Sequence, residues 1–282
     1  MISAEMLAVT YGLGSAVAWG AGDFSGGFAS RKGNVVGVIL ASQFIGGIIL
    51  TVMAMLSSEI IPPVKYFCHG ALAGIFGAFG MIMLYRGLAK GRMGIVAPMS
   101  AVLTALVPIG YAAFFQGLPT ATQFLGFLCV MIAVWLLSSS SDSSFKMTWE
   151  EFYLSTLAGL GFGFFFIFID KANDLAVIWP LVGARAASVS LLFCLAYAGR
   201  QPLIPIRSQW IFIVITGVLD AVGNALFSMA AHLGRLDVSA VLGALYPAST
   251  VMLAWIILKE RLGKQQWAGV LTAFAALVLI SA

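Results

Sequence analysis

Charge is what this sequence has least of. Only 9% of its 282 residues are Asp, Glu, Lys or Arg, against roughly 25% in soluble domains. A water-facing surface of that composition would be one continuous apolar patch, which soluble monomers do not tolerate. A soluble globular domain is therefore excluded. Histidine is nearly absent as well: His69 and His232 are the two, far apart and close to loop ends. No paired-carboxylate motif accompanies them, so no enzyme active site, metal site or cofactor is expected. The cysteines Cys68, Cys129 and Cys194 sit singly in apolar runs without CxxC spacing. That pattern reads as buried thiols, neither a disulfide nor a zinc site. No G-x-x-x-x-G-K-[ST] occurs, which argues against nucleotide drive within the chain. Nor is a cleavable signal peptide expected, because the first apolar run lacks a basic start and continues into a spanning pattern.

What the sequence does have is apolar length. Hydrophobic residues make up 61% of it and the mean hydropathy is +1.02. They come in runs near the ~20 residues that cover a ~30 Å hydrocarbon core at ~1.5 Å per residue. Glycine (31) and methionine (12) are plentiful, and small residues let membrane helices approach closely. The runs predict ten spans: 6–28, 34–57, 67–89, 94–115, 120–138, 151–170, 176–198, 208–231, 237–257 and 263–281. Between them stand turn signals such as Pro62-Pro63, Gly117-Leu118-Pro119 and Gly199-Arg200-Gln201-Pro202. The expected fold is therefore an all-α, multi-pass membrane protein of ten transmembrane helices. A net charge of +4 and a pI near 9.1 do not indicate nucleic acid, since the basic residues sit at span ends and form no stripe.

One polar, linker-like stretch, Ser138-Ser139-Ser140-Ser141-Asp142-Ser143-Ser144, divides the chain into five spans and five spans. The predicted organisation is a first five-helix repeat over 1–141, a linker over 142–150 and a second five-helix repeat over 151–282. Sliding the sequence against itself by 143 residues aligns 89–136 with 232–279 and pairs Gly91 with Gly234, Arg92 with Arg235, Gln123 with Gln266 and Gly126 with Gly269. The same shift pairs Gly20 with Gly163. An odd number of spans per repeat makes the second copy enter the membrane from the opposite side. Two inverted repeats around a central cavity are how many secondary transporters build two-sided access to a midplane site. Of the fifteen Lys and Arg residues, eleven lie on the side of the 1–2, 3–4, 5–6, 7–8 and 9–10 loops, and three (Lys65, Lys171 and Arg235) on the other. That bias places both termini outside the cell.

Charges in mid-membrane cost ~2.5–3.5 kcal/mol or more unless a cavity or partner receives them, so they are candidates for function. Asp23 follows Trp19-Gly20-Ala21-Gly22 deep in span 1; Asp220 is central in span 8 with Asn224 one turn on; Arg185 is inside span 7. A mutual ion pair locking spans 7 and 8 is the plainest reading of Arg185 and Asp220, and a packing role beside Gly22, Gly26 and Gly27 that of Asp23. The functional alternative is a carboxylate that takes up a proton or pairs with a cationic solute. Asp170-Lys171 and Arg86 lie near span ends and can snorkel. Aromatics add to the pattern. Span 6 holds Phe162, Phe164, Phe165, Phe166 and Phe168, which cannot all face one cavity, while Trp19, Phe24, Tyr85, Tyr246 and Trp255 lie in spans 1, 3 and 9. Rings beside carboxylates suit an organic cation. Pro98, Pro108 and Pro247 are expected to interrupt spans 4 and 9, marking a solute path.

Several stretches resemble one family. Ala18-Trp19-Gly20-Ala21-Gly22-Asp23-Phe24 is similar to the opening of EamA-type members of the drug/metabolite transporter superfamily. The same holds for Gly234-Arg235-Leu236-Asp237-Val238-Ser239, Leu245-Tyr246-Pro247-Ala248-Ser249-Thr250-Val251, Leu258-Lys259-Glu260-Arg261-Leu262 and Gln266-Trp267-Ala268-Gly269. The first repeat departs from the family: Gln116-Gly117-Leu118-Pro119 stands where members often carry a Glu in the loop after span 4. The resemblance implies a basket of ten helices whose cavity is lined by spans 1, 3, 4, 6, 8 and 9. It would put Trp19, Asp23, Tyr85, Phe166, Asp220, Asn224 and Tyr246 within reach of a substrate, with Arg185 and Trp255 one layer behind. It also implies termini in the cytoplasm, opposite to the charge bias, so orientation stays open. The expected activity is secondary transport, by alternating access, of a small polar or cationic organic metabolite such as an amino acid or amine, with proton coupling an option. The alternative is a channel or a non-transporting membrane scaffold. The expected partners are a small-molecule substrate and membrane lipid, the expected location the cell membrane, and the expected state a monomer or weak homodimer.

Overall fold

The computed structural model describes residues 4–31, 34–90, 93–138, 148–249 and 264–281. Trp255, the Leu258–Leu262 stretch and most of the serine-rich linker lie outside the described residues. The helices are α1 (Ala4–Ser30), α2 (Val35–Leu56), α3 (Val64–Lys90), α4 (Met93–Phe115), α5 (Ala121–Ser138), α6 (Trp149–Ala172), α7 (Ile178–Ala198), α8 (Trp210–Leu233), α9 (Leu236–Gly243) and α10 (Lys264–Ser281). Among the described residues there is no strand. An apolar solvent cannot hydrogen-bond free backbone groups, so a chain of this composition satisfies them within each segment, as helix. Val35–Leu56, Val64–Ala89, Trp149–Ala172, Ile178–Ala198 and Arg207–Leu233 are long and apolar enough to cross a membrane.

Local sequence sets the ends. Asn34 caps α2 by accepting from the Val36 N–H at 3.1 Å. Thr148 and Glu151 form a reciprocal capping box at the start of α6, with bonds of 3.2 and 2.9 Å. The prolines behave unequally. Helix α4 runs unbroken through Pro98 and Pro108, contrary to the expectation that both interrupt it. Helix α9 does stop at Gly243, and the chain turns over residues 244–245 before resuming helical geometry at Tyr246-Pro247. A proline lacks the N–H and crowds the carbonyl four residues back. At Pro247 that carbonyl belongs to Gly243, where the helix ends.

The packing is symmetric under exchange of the two halves. Helix α1 packs on α8 as α6 packs on α3; α1 meets α9 as α6 meets α4; α2 meets α8 as α7 meets α3. The pairs α2·α7 and α5·α10 map onto themselves. This is the isologous pattern of a two-fold dimer, fused here into one chain. One pair of close contacts repeats at the same offset of 143 residues. A Cβ on Gly80 would stand 2.8 Å from Phe162 Cδ1, and a Cβ on Gly223 would stand 2.7 Å from Trp19 Cδ1. Trp19 and Phe162 are repeat equivalents, as are Gly80 and Gly223. Each half thus lays one aromatic ring of its first helix over a glycine in the third helix of the other. The outer surface is apolar, with Phe114, Leu56 and Leu271 widely exposed, as a lipid-facing surface requires. Cys68 and Cys194 are exposed and Cys129 is half-buried, all three free. The expectation of buried thiols is corrected for Cys68 and Cys194, which point outward, where in lipid an apolar side chain has no reason to seek the core; Cys129 packs part-buried against the apolar interior.

Candidate functional site

At mid-bundle, α1, α2, α3, α4, α6, α7, α8 and the segment after α9 enclose a cavity of about 60 Å³. That is room for about four water molecules at ~15 Å³ each. Its polar wall is built from Asp23, Gln43, Thr104, Arg185, Ser188, Asp220, Asn224 and Tyr246, and its apolar wall includes Trp19, Met81, Phe162, Phe165 and Phe166.

The polar groups form one network with one outlier. Arg185 Nη2 lies 2.6 Å from Asp220 Oδ2, the two side chains 10% and 15% exposed. Gln43 bridges them: its Nε2 donates to Asp220 Oδ2 at 2.8 Å, and its Oε1 accepts from Arg185 Nη1 and from Ser188 Oγ at 3.1 Å. Asn224 Nδ2 donates to Asp220 Oδ1 at 3.0 Å. Both oxygens of Asp220 are therefore engaged and its charge is matched. Asp23 is the outlier. Its partner among the described residues is the Tyr85 hydroxyl, which donates to Oδ1 at 3.3 Å. Gly26, one turn on, leaves the space that the Tyr85 ring fills.

Rings close the cavity toward one end. Phe166 stacks on Phe227 at 4.1 Å and on Trp19 at 5.5 Å, and Trp19 lies 5.6 Å from Phe227. Along α8 the order is Asp220, Asn224, Phe227, His232, so this triad separates the charged layer from a second, polar cavity of about 490 Å³ beyond it. Lys65, His69, Gln116, Asp170, Lys171, Asn173 and His232 line that vestibule, on the side that carries few basic residues. Arg235 is on the same side: it pairs with Asp237 at 2.8 Å and donates to the Gly117 carbonyl at 3.0 Å, tying the start of α9 to the α4–α5 turn. Elsewhere, the Tyr246 hydroxyl lies 2.7 Å from Ser100 Oγ and 3.0 Å from the Ala97 carbonyl, joining the second half to α4.

Of the residues singled out from sequence, Trp19, Asp23, Phe166, Asp220, Asn224 and Tyr246 meet on the cavity wall. Tyr85 does not: it is fully buried behind Asp23. Arg185, expected one layer back, stands in the wall itself. The span-6 phenylalanines divide as their helical positions require, with Phe162, Phe165 and Phe166 inward, Phe164 outward, and Phe168 stacked on Phe76 at 5.5 Å. Sequence reasoning missed Gln43, Ser188 and Phe227. The signal for Gln43 was there, an amide in mid-run of α2, but a neutral side chain stands out less than a charge. Among the described residues no group of His, Cys, Asp and Glu could hold a metal ion.

The EamA-like transporter family model matches the chain twice, over residues 6–139 and 150–282. The protein MJ1333.1 of Methanocaldococcus jannaschii, described as uncharacterised, is 29% identical over 142 residues, which are 48% of this chain and 98% of that protein. A relative can thus have the length of one half. A solved crystal structure superposes with a TM-score of 0.77 at 16% identity, covering 96% of this chain and 95% of the other. That likeness concerns the fold.

Proposed function

From the membership of this chain in the EamA-like transporter family, we propose that it is a secondary transporter moving a small polar or cationic organic metabolite, such as an amino acid or amine, across the cell membrane by alternating access. Members of this family are membrane transporters, not enzymes. The reading adds that all ten helices cross the bilayer, with the second repeat inverted relative to the first, as five crossings per repeat require. The observation that carries the substrate class is Asp23, a carboxylate without a cationic partner among the described residues, set on a cavity wall with Trp19, Phe166 and Tyr246. A carboxylate attracts an ammonium group, and ring faces attract it further by ~0.5–2 kcal/mol.

The small cavity supports alternating access, because a solute larger than a few waters enters only if the halves move. Exchange-symmetric packing supplies two equivalent sets of contacts to break and remake. With both repeats in one chain, a monomer suffices for the activity. The test is counterflow into vesicles containing the purified protein, with amino acids, quaternary amines, nucleosides and sugars as the panel. Uptake of a labelled solute accelerated by the same unlabelled solute inside is the carrier result. Conductive flux without that acceleration would place the protein among channels, and no flux of any class would leave a scaffold. A bound solute should also raise the unfolding free energy by ~2.7 kcal/mol at a hundredfold excess over its dissociation constant.

A further inference from the structure

Helices α2 and α7, a pair that maps onto itself when the halves are exchanged, are tied together at both ends. At one end the Glu59 carboxylate, just past α2, accepts from the Val177 N–H at 3.1 Å and from the Ile178 N–H at 2.9 Å. Val177 stands at the N-cap of α7 and makes no side-chain cap bond of its own, so the cap arrives from the other half. At the other end Asn34, the cap of α2, donates through Nδ2 to the Pro202 carbonyl at 3.2 Å, just past α7. At the repeat offset Asn34 corresponds to Val177 and Glu59 to Pro202. The two ties are one contact made twice, with its chemistry reversed. Between them the helices are pinned: a Cβ on Gly47 would stand 3.4 Å from Arg185 Cβ, and Gln43 bonds to Arg185 and Ser188.

Two helices pinned in the middle and clasped at both ends rock against each other only by releasing one clasp. Each clasp joins the first half to the second, so motion of one half against the other stretches one end while it compresses the opposite one. The geometry points to Glu59 as a positioning residue that holds one end of the two halves together, with Asn34–Pro202 as its weaker counterpart. A carboxylate on two N–H groups makes charge-assisted bonds, roughly twice as strong as neutral ones, and meets the positive end of the α7 dipole. Asn34 to Pro202 is a single neutral bond. The frame is symmetric and the clasps are not, so the protein rests with the Glu59 end closed and parts first at the Asn34 end. The Glu59 end is that of the vestibule: Lys65 follows Glu59 by six residues, and Lys171 and Asp174 precede Val177. The use of the clasps in a transport cycle rests on the transporter reading; their inequality does not.

The test measures distances between spin labels by pulsed electron resonance, in the full-length protein carrying Cys68→Ala, Cys129→Ala and Cys194→Ala. Labels at the exposed positions Ile60 and Leu175 report the Glu59 end, and labels at the exposed positions Arg31 and Ile204 report the other. Glu59→Ala should raise the ratio of long to short distances in the first pair by about two- to thirtyfold, the effect of a lost helix cap. Glu59→Gln, which keeps one acceptor, should raise it by less. Neither variant should lengthen the second pair. Asn34→Asp keeps the cap on α2 and loses the donor to Pro202; it should lengthen the second pair by a smaller factor and leave the first short. A purely structural role for Glu59 would lower the melting temperature without a new long distance. Unchanged distances in folded Glu59→Ala therefore overturn the inference, as does equal lengthening at both ends. Should Glu59→Ala fail to fold, Glu59→Gln decides by the same criteria. Distances that shift as expected without counterflow in vesicles would sink the transporter reading and leave the clasps. Counterflow with unmoved distances would do the reverse.

Discussion

Removing either member of the Arg185–Asp220 pair should damage the protein far more than removing both. In Asp220→Leu the Arg185 guanidinium, 10% exposed, loses the carboxylate 2.6 Å away and keeps only neutral partners such as Gln43. An uncompensated buried charge of this kind costs ~3–5 kcal/mol. In Arg185→Met the loss is of similar size, because Asp220 then shares the cavity with Asp23 and no cation remains on its wall. The double variant removes both charges. What it leaves is Gln43 without its two charged partners, an orphaned amide costing ~1–3 kcal/mol. If the sites were independent, the sum of the single costs would be ~6–10 kcal/mol, so the coupling energy should be at least ~3 kcal/mol. A competing expectation comes from ordinary interhelical hydrogen bonds in membranes, which average ~0.6 kcal/mol. The short distance and the low exposure of both side chains favour the larger figure. The assay is denaturant unfolding of the four proteins in mixed micelles, followed by far-UV circular dichroism and checked for equal slopes. A double variant whose cost equals the sum of the singles within ~0.5 kcal/mol would refute the argument.

Other variants read the rest of the fold. Gly80→Ala and Gly223→Ala should each cost ~1–3 kcal/mol by overpacking against Phe162 and Trp19, while Gly110→Ala, where nothing lies within 4 Å, should gain ~0.5–1 kcal/mol through helix propensity. Thermal unfolding ranks all three, and equal melting temperatures would discredit the packing account. Phe227→Ala removes the ring 4.1 Å from Phe166; it should cost ~3–5 kcal/mol and join the two cavities, seen as faster choline leak from vesicles. An unchanged leak would mean that Trp19 and Phe166 suffice as the partition. Thr148→Ala deletes the capping box of α6 and should cost about 1 kcal/mol, measured in the same melts. No change there would make the cap redundant.

The placement of helices was legible because it is local. Each predicted span overlaps a described helix, since the bilayer argument needs only the length and polarity of one run. Asp23, Asp220 and Arg185 stood out for the same reason, as charges where neighbours are apolar. Prolines were less informative: Pro98 and Pro108 pass through a continuous α4, whereas the chain breaks just before Pro247. The repeat was visible as scattered identities at an offset of 143, but its meaning in packing was not. The strongest equivalence pairs Trp19 with Phe162 over Gly223 and Gly80, and unlike aromatics do not register as identity.

The sequence by itself determined a membrane protein of apolar helical segments in two related halves, with a few costly charges among apolar neighbours. These are properties of single segments and of their composition. Tertiary structure decided which of those charges meet. At the repeat offset Asp220 corresponds to Gly77, Arg185 to Ser42 and Asp23 to Phe166, so the frame is symmetric while its chemistry is not. Whether Arg185 reaches Asp220 or Asp23 depends on the crossing of helices whose residues Gln43, Arg185 and Asp220 stand more than thirty positions apart in the chain. Distances of a few ångströms between such segments are set by packing of whole helices, and no local pattern encodes them.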